Sequence, residues 1–373
     1  MLKIDSSSHL PIYLQLEQQL ADQILSRSLR PHEMIPSAVD LAQQLKISHL
    51  TVRRAYRSLT GRGLIYSIRG KGTFVADAVK QDLIAVAVSG EFFRKPDSSG
   101  VYAAVADALH QLGHRDGRLV KLLVCTTPYA QQLRGEFNEH DQMQFREAGL
   151  RGLFVSGVRL PPPVLEELRS RGVHIVAVPD TFADIPEHVG VDKKSLLTLP
   201  LQYARSHNRQ RLGVIYLDLK DQPGLKHKIM ESAQSHGFEV DRSRIIGVSI
   251  ASMAAGQLAC EYLLRAHPDV DCIVCYDDHL AQGVCTACIK QRQNVPDDIL
   301  LIAHANKDIT PPFLLPVAKV SVNVGYAVQM AYEKMHCLLN GKPCDHIPSL
   351  ISPNMVPEDA PAASSSGAEI ALN

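Results

Sequence analysis

The chain has 373 residues, of which 45% are hydrophobic and 21% charged, and its 39 basic and 39 acidic side chains balance. This is an ordinary globular composition with room for two or three packed domains. There is no run of about 18 apolar residues and no charged-then-apolar leader after Met1, so neither a membrane span nor export is expected and the cytoplasm is the expected location. The eight cysteines are then expected as reduced thiols rather than a disulfide framework.

The balanced charge is unevenly placed. Residues 1–80 carry 11 Lys/Arg against 6 Asp/Glu, which leaves 28 against 33 for the rest. Between 41 and 76, Lys46, Arg53, Arg54, Arg57, Arg62, Arg69 and Lys71 occur without one acidic residue, a local excess able to neutralise phosphates. Charge alone leaves a solvated basic surface equally open. Periodicity decides between the two. Pro11 opens a helix in which Tyr13, Leu16, Leu20 and Ile24 recur at three- and four-residue steps. Ser37, after Pro36, can cap a second helix holding Val39, Leu41, Ala42 and Leu45; Lys46 and Ile47 turn the chain to Ser48, the cap of a third. In that third helix Val52, Ala55, Tyr56 and Leu59 form the buried stripe, while His49, Arg53 and Arg57 share another face beside Thr51. Two short helices joined by a tight turn, the second cationic near its start, make a helix-turn-helix. The β-rich runs 64–68 and 73–75 flank Arg69-Gly70-Lys71-Gly72, a turn whose glycines let the backbone approach a phosphate.

Three helices followed by such a hairpin make a winged helix, and residues 9–76 resemble the gluconate-repressor (GntR) family of bacterial transcription regulators. The carriers are "LPIYLQLEQQLADQI", "PSAVDLAQQLKIS", "TVRRAYRSLTGRGLI" and "RGKGTFVA". The resemblance implies a homodimer reading two DNA half-sites. Arg53 matches a recognition-helix arginine of the family and Gly70 the wing-tip glycine. Ser37, Ser48, His49, Thr51, Arg54, Arg57, Arg69, Lys71 and Gly72 complete the expected DNA-binding set. Two positions depart: Val39 and His49 stand where the family usually carries arginines that read guanine edges, a bidentate contact Val39 cannot make and His49 makes only in part.

From Leu83 onward short apolar runs alternate with helical patterns. "LIAVAVS", "LVKLLVC", "LRGLFVS" and "VHIVAVP" are separated by helices expected at 98–113, 130–148 and 161–171. "RLGVIYL", "RIIGVSI", "DCIVCYDD" and "ILLIA" are separated by helices expected at 223–236, 252–266 and 278–291. The alternation signals two parallel sheets. The segments "VGVDKKS", "HNRQRLGVIY", "YDDHLAQG", "VPDDILLIA" and "VSVNVGYAVQMAYEKMHCLLNGKP" make this half similar to the effector-binding region of the lactose-repressor (LacI) family and so to periplasmic sugar-binding proteins.

The expected organisation is a winged helix-turn-helix over 1–78, a hinge at 79–82 and an α/β, two-lobed periplasmic-binding-protein-like domain over 83–355. Its lobe crossovers are expected near 180–192, 303–325 and 341–347, and a disordered tail over 356–373. A small molecule, commonly a sugar, would bind between the lobes and change DNA affinity. The resemblance places Asp277 and Asn323 in that site. His304 and Asn306 are candidate replacement polar groups, and Glu91 and Phe92 follow the first strand at its carboxyl end. Leu225 and Ala305 occupy positions where the family carries a sugar-gripping arginine and a pocket aspartate.

Cys272, Cys275, Cys285 and Cys288 form two C-x-x-C pairs, but a strand of period two sends Cys272 and Cys275 to opposite faces, so no metal site is expected. No cofactor is expected, and no Walker loop, strand-linked G-x-G-x-x-G, G-x-S-x-G elbow or H-E-x-x-H points to an enzyme. The alternatives are a small-molecule binding protein with a vestigial head and a thiol- or zinc-responsive regulator.

Overall fold

The computed structural model describes residues 2, 4, 10–25, 28–61, 64–68, 70–76, 83–91, 100–116, 118–147, 149–179, 184–218 and 224–358. Arg69, Phe92, the 79–82 hinge and residues 359–373 lie outside the described residues.

The head is built on three helices. The Pro11 carbonyl accepts from the amides of Leu14 (2.9 Å) and Gln15 (3.2 Å), starting α1 (Ile12–Leu25). Ser37 caps α2 (Ala38–Leu45): its Oγ accepts from the Asp40 amide at 3.2 Å and donates to Asp40 Oδ2 at 2.6 Å. Lys46, at φ +55°, ends the helix in the left-handed region, and Ser48 Oγ accepts from the Leu50 amide at 3.2 Å at the start of α3 (His49–Gly61). The wing strands β2 (Ile65–Ile68) and β3 (Gly72–Val75) pair antiparallel. A two-residue strand, β1 (Met34–Ile35), adds to β3; it is too short for alternation to reveal. Leu16, Leu20, Leu41, Val52, Ala55, Leu59, Ile65 and Val75 close over one core.

Among the described residues the remainder holds two large sheets and one two-stranded pair. In the first, β4 (Leu83–Ser89), β5 (Val120–Cys125), β6 (Leu150–Ser156) and β7 (His174–Ala177) run parallel in the order β5-β4-β6-β7. In the second, β9 (Leu212–Leu217), β10 (Ile245–Val248), β11 (Cys272–Cys275), β12 (Leu300–Asn306) and β13 (Ala318–Val322) are parallel in the order β10-β9-β11-β12-β13. Helices cover both faces, which is why the strands read as continuous apolar runs: Ile84, Val86 and Val88 of β4 enter one core while Ala85 and Ala87 enter another. The helices of the first lobe are α4 (Val101–Arg115), α5 (Tyr129–Gln132), α6 (Glu139–Phe145) and α7 (Pro162–Ser170). The single helix expected over 130–148 is therefore two, because Gly135 sits at φ +77° and Asn138 caps a new start through the Asp141 amide.

The chain changes lobe more than once. After β7 it passes through β8 (Gly190–Val191) into α8 (Lys193–Ser206), which packs Leu201 and Ala204 on the second sheet. The second sheet's other helices are α9 (Leu225–Ser235), α10 (Met253–Ala266) and α11 (Asp278–Lys290). After β13, α12 (Val324–Leu339) returns to the first sheet, where Ala327, Val328, Ala331 and Met335 meet Ile84, Val86, Phe154 and Val176. Then β14 (Leu350–Ile351) pairs with β8 and β15 (Asn354–Val356) pairs antiparallel with β13. Ordered chain thus runs past 355, where the tail was expected to begin: Val356 pairs with Lys319, and the Tyr203 hydroxyl donates to Glu358 Oε2 at 2.7 Å.

Lys334 of α12, only 3% exposed, donates Nζ to the His188 carbonyl and to Ser349 Oγ, both at 3.1 Å. Helices α10 and α11 cross backbone to backbone: a Cβ at Gly256 would overlap the Leu280 carbonyl, and one at Gly283 the Met253 carbonyl. Gly283→Ala is expected to cost about 1–3 kcal/mol or more through overpacking and to lower the midpoint of thermal unfolding. Gly61→Ala, whose added methyl would meet nothing within 4 Å, should leave the midpoint unchanged.

Candidate functional site

The basic face of the head is held rigidly and left open. The stripe Val52, Ala55, Tyr56 and Leu59 locks α3 into the core, and the Tyr56 hydroxyl, its pKa pushed up to about 12 by burial and the nearby Asp40 charge, donates to the Pro36 carbonyl at 2.8 Å. His49, Arg53, Arg54 and Arg57 are exposed and Thr51 half-buried. Arg53 and Arg57 line a cleft of about 640 Å³ with Ser37, Ser67, Gly72 and Thr73, between α2, α3 and the wing. Among the described residues no ion pair engages Arg53, Arg57 or Lys71. Arg54 differs: its guanidinium carbon lies 3.8 Å from the centroid of the Tyr13 ring, a cation–π contact between α3 and α1. At the wing tip Gly70 (φ +76°) and Gly72 (φ +124°) adopt conformations side chains disfavour. The Lys71 amide donates to Ile68 at 3.0 Å, and Tyr66 stacks on Phe74 at 5.7 Å.

The second group of expected residues lies at the carboxyl ends of parallel strands, where such sheets take ligands. Asp277 caps α11, its Oδ1 accepting from the Leu280 amide at 2.9 Å, and burial pushes its carboxyl pKa up. Oδ2 has no hydrogen bond among the described residues. Asp278 points inward and is 4% exposed. It accepts from Thr310 Oγ1 at 2.6 Å and Asn306 Nδ2 at 3.3 Å, with His279 Nδ1 3.0 Å from its other oxygen. Burial pushes this carboxyl up, but the hydrogen bonds from His279 and Thr310, with the positive potential of His279 and His304, outweigh it and hold the pKa at about 2. His304, half-buried on β12, is pulled down by burial. Asn323 is exposed and caps α12 through the Tyr326 amide at 3.0 Å. Glu91 lies two residues past the end of β4 on the other lobe, its Oε1 accepting from the Tyr129 amide at 3.3 Å. The lobes approach here: a Cβ at Gly100, before α4, would lie 3.5 Å from Ile309 Cγ2. Leu225 packs into the second sheet's core and Ala305 is buried, so neither offers a polar group.

Asp277, Asp278 and His279 bring three ligand-type atoms within 4.8 Å of one another. Asp278 is bonded to His279, Thr310 and Asn306, and one oxygen of Asp277 holds the α11 cap, which leaves only the other Asp277 oxygen unengaged among the described residues. The cysteines separate by face: Cys272 enters one core of the second sheet, and Cys275 enters the other with Cys260, Cys285 and Cys288. Burial raises the thiol pKa of Cys275 and Cys285.

Residues 12–75 match the family described as bacterial regulatory proteins, gntR family, and residues 202–359 match the periplasmic binding protein-like domain. The chain joins a gntR-type head to a periplasmic binding protein-like domain. The HTH-type transcriptional repressor NagR of Bacillus subtilis is 41% identical over 75 residues, 20% of this chain and 31% of that one. The chain thus spans about a third of the length of such head-matched relatives. The arabinose metabolism transcriptional repressor of Geobacillus stearothermophilus is 24% identical over 308 residues, 79% of this chain and 81% of that one. A sugar-binding transcriptional regulator of the LacI family from Escherichia coli, solved with phosphate, has a similar fold, with a TM-score of 0.58 at 14% identity over 74% of this chain and 96% of that one. No helix among the described residues is long and apolar enough to cross a membrane.

Sequence reasoning missed two polar knots of the periplasmic binding protein-like half. One joins Asp278 to Thr310 and Asn306. In the other, Asp141, fully buried, accepts from the amide and hydroxyl of both Thr126 and Thr127 at 2.6–3.0 Å. Partners 14 to 32 positions apart leave no local signal.

Because the Asp278 pKa is depressed by folding, its contribution is present above the ordinary carboxylate range and is lost as pH falls from about 4 towards 2. Asp278→Asn should therefore reduce stability at neutral pH by about 2 kcal/mol, and denaturant titrations across that interval should show the gap to wild type closing.

Proposed function

We propose that the protein is a sequence-specific DNA-binding transcription regulator, a repressor, acting as a homodimer whose grip on an operator is set by a small molecule held between the lobes. The observation that carries this is the exposed cationic face of α3. Arg53 and Arg57 stand without ion-pair partners among the described residues, beside a wing whose glycines allow close backbone approach. In this reading α3 enters the major groove, Arg53 reads a base edge, and Arg57 and Lys71 meet phosphates. Ser37 and Ser48 orient the two helix starts; His49, Thr51 and Gly70 to Gly72 face the duplex. Arg69 is assigned to the same surface from sequence alone. Arg54 serves the duplex only through the helix it braces. A dimer would place two such helices about 34–36 Å apart, one helical turn of DNA.

The effector in this reading is a sugar or sugar derivative. The name of the arabinose metabolism repressor, similar over most of the chain, supports that class. With Leu225 and Ala305 apolar, recognition falls to sugar hydroxyls donating to the free oxygen of Asp277 and to Glu91, and to hydrogen bonds with His304, Asn306 and Asn323. Phe92 would add a stacking face.

Gel shifts with the DNA upstream of the protein's own gene test the first part. Binding should prefer that DNA over competitor and weaken with salt, log K falling against log salt by about 0.9 per neutralised phosphate. Arg53→Ala should abolish the preference, and Lys71→Ala should reduce the salt slope by about one contact; equal binding to competitor would leave a ligand-binding protein with an idle head. For the second part, a thermal-shift screen of sugars should find a ligand that adds about 2.7 kcal/mol at hundredfold excess over its dissociation constant, raising the unfolding midpoint by several degrees.

A further inference from the structure

Val39 and Leu50 each occupy the second position of a helix, α2 and α3 respectively, and both are left in water, 55% and 63% exposed. Either position would accept a polar residue without disturbing the fold, since the core stripe of α3 runs through Val52, Ala55, Tyr56 and Leu59 and α2 buries Leu41 and Ala42. Single exposed apolar residues are ordinary; these two stand at the starts of the two helices of the proposed DNA-binding surface. Leu50 precedes Arg53 and Arg57 by three and seven positions, so it shares their face of the helix, and a surface engaged by those guanidinium groups also covers the leucine. Val39 follows Ala38 and precedes Asp40, which line the cleft with Arg53, and its own side chain stands outside that cleft in solvent at the start of α2. Two large side chains are thus presented at the same surface as the free cations.

The edges of the base pairs in the major groove are polar with one exception, the 5-methyl group of thymine. We infer that Val39 and Leu50 determine operator specificity by packing on thymine methyl groups, so that each half-site carries thymine where an arginine at either place would select guanine. The inference rests on the DNA-binding reading above. It explains how a head with few groups able to read guanine can still discriminate: a methyl group brought out of water against valine or leucine favours thymine over cytosine.

The test uses the full chain and a duplex selected by it from a random library. That duplex is compared with the same sequence carrying deoxyuridine for thymidine, which keeps the base pairing and removes only the methyl groups, by fluorescence anisotropy at fixed salt. Wild type should bind the uridine duplex about three- to tenfold more weakly per half-site. The Val39→Ala, Leu50→Ala double variant should bind the two duplexes alike while keeping its affinity for random-sequence DNA, which shows that the head is folded. Equal binding of both duplexes by wild type overturns the inference. So does a double variant that keeps the full preference, because the methyl effect would then come from DNA shape. If no sequence is enriched at all, the regulator reading falls together with the inference; if one is enriched but ignores the methyl groups, only the inference falls.

Discussion

Lys334 links α12 to two passages between the lobes of the periplasmic binding protein-like half. It rises from the core of the first lobe, where the surrounding turns of α12 are packed against β4, β6 and β7, and its two hydrogen bonds reach His188 and Ser349, one on each of two other passages between lobes. A buried charge is tolerated only when its donors are satisfied, so the position of α12 and the paths of both passages are fixed by the same group. Those passages are also hydrogen-bonded to each other, Gly190 to Ser349 and Asp192 to Ile351, each at 2.9 Å. Two lobes built from interleaved segments thereby meet over short, mutually bonded stretches of chain.

The facing ends of the sheets are organised by charge in the same economical way. Asp278 ties the first turn of α11 to the loop after β12, and Ile309 in that loop is the residue that comes up to Gly100 of the other lobe. The carboxylate thus braces the loop that comes up to the other lobe, and its hydrogen bonds leave it little capacity for a ligand. Asp277, one residue earlier, keeps one oxygen for the helix and leaves the other unengaged. Adjacent aspartates thus serve different ends because a helix start turns one inward and the other along the rim.

Much of this was legible in the sequence where the physics is local or periodic. The stripe Val52, Ala55, Tyr56 and Leu59, the caps Ser37 and Ser48 and the glycines of the wing follow from spacing and backbone preference alone. The strand Leu83–Ser89 reads as buried on both faces because no polar residue interrupts it before Ser89. What escaped depends on distant partners. Gly135 and Asn138 break an otherwise helical pattern in a way that composition over 130–148 conceals. Thr310 and Asn306 find Asp278 only once β11 and β12 are paired, and Lys334 looks like a surface lysine until its helix is placed against the first sheet. The candidate site shares that limit: Arg53 was recognisable from its helix, whereas the engagement of Arg54 by Tyr13 required α1 and α3 to be packed together.

That last contact has a consequence for the head as a reader. A guanidinium over an aromatic face is shielded from the surrounding electrolyte on one side and is held partly by polarisation of the ring, so added ions weaken it less than they weaken a bridge to phosphate. The brace between the first and third helices and the hold on the sugar–phosphate chain thus respond to ionic strength on different scales. In the proposed DNA-binding reading, rising salt would therefore loosen contacts to phosphate before it loosens the packing of α3 on α1.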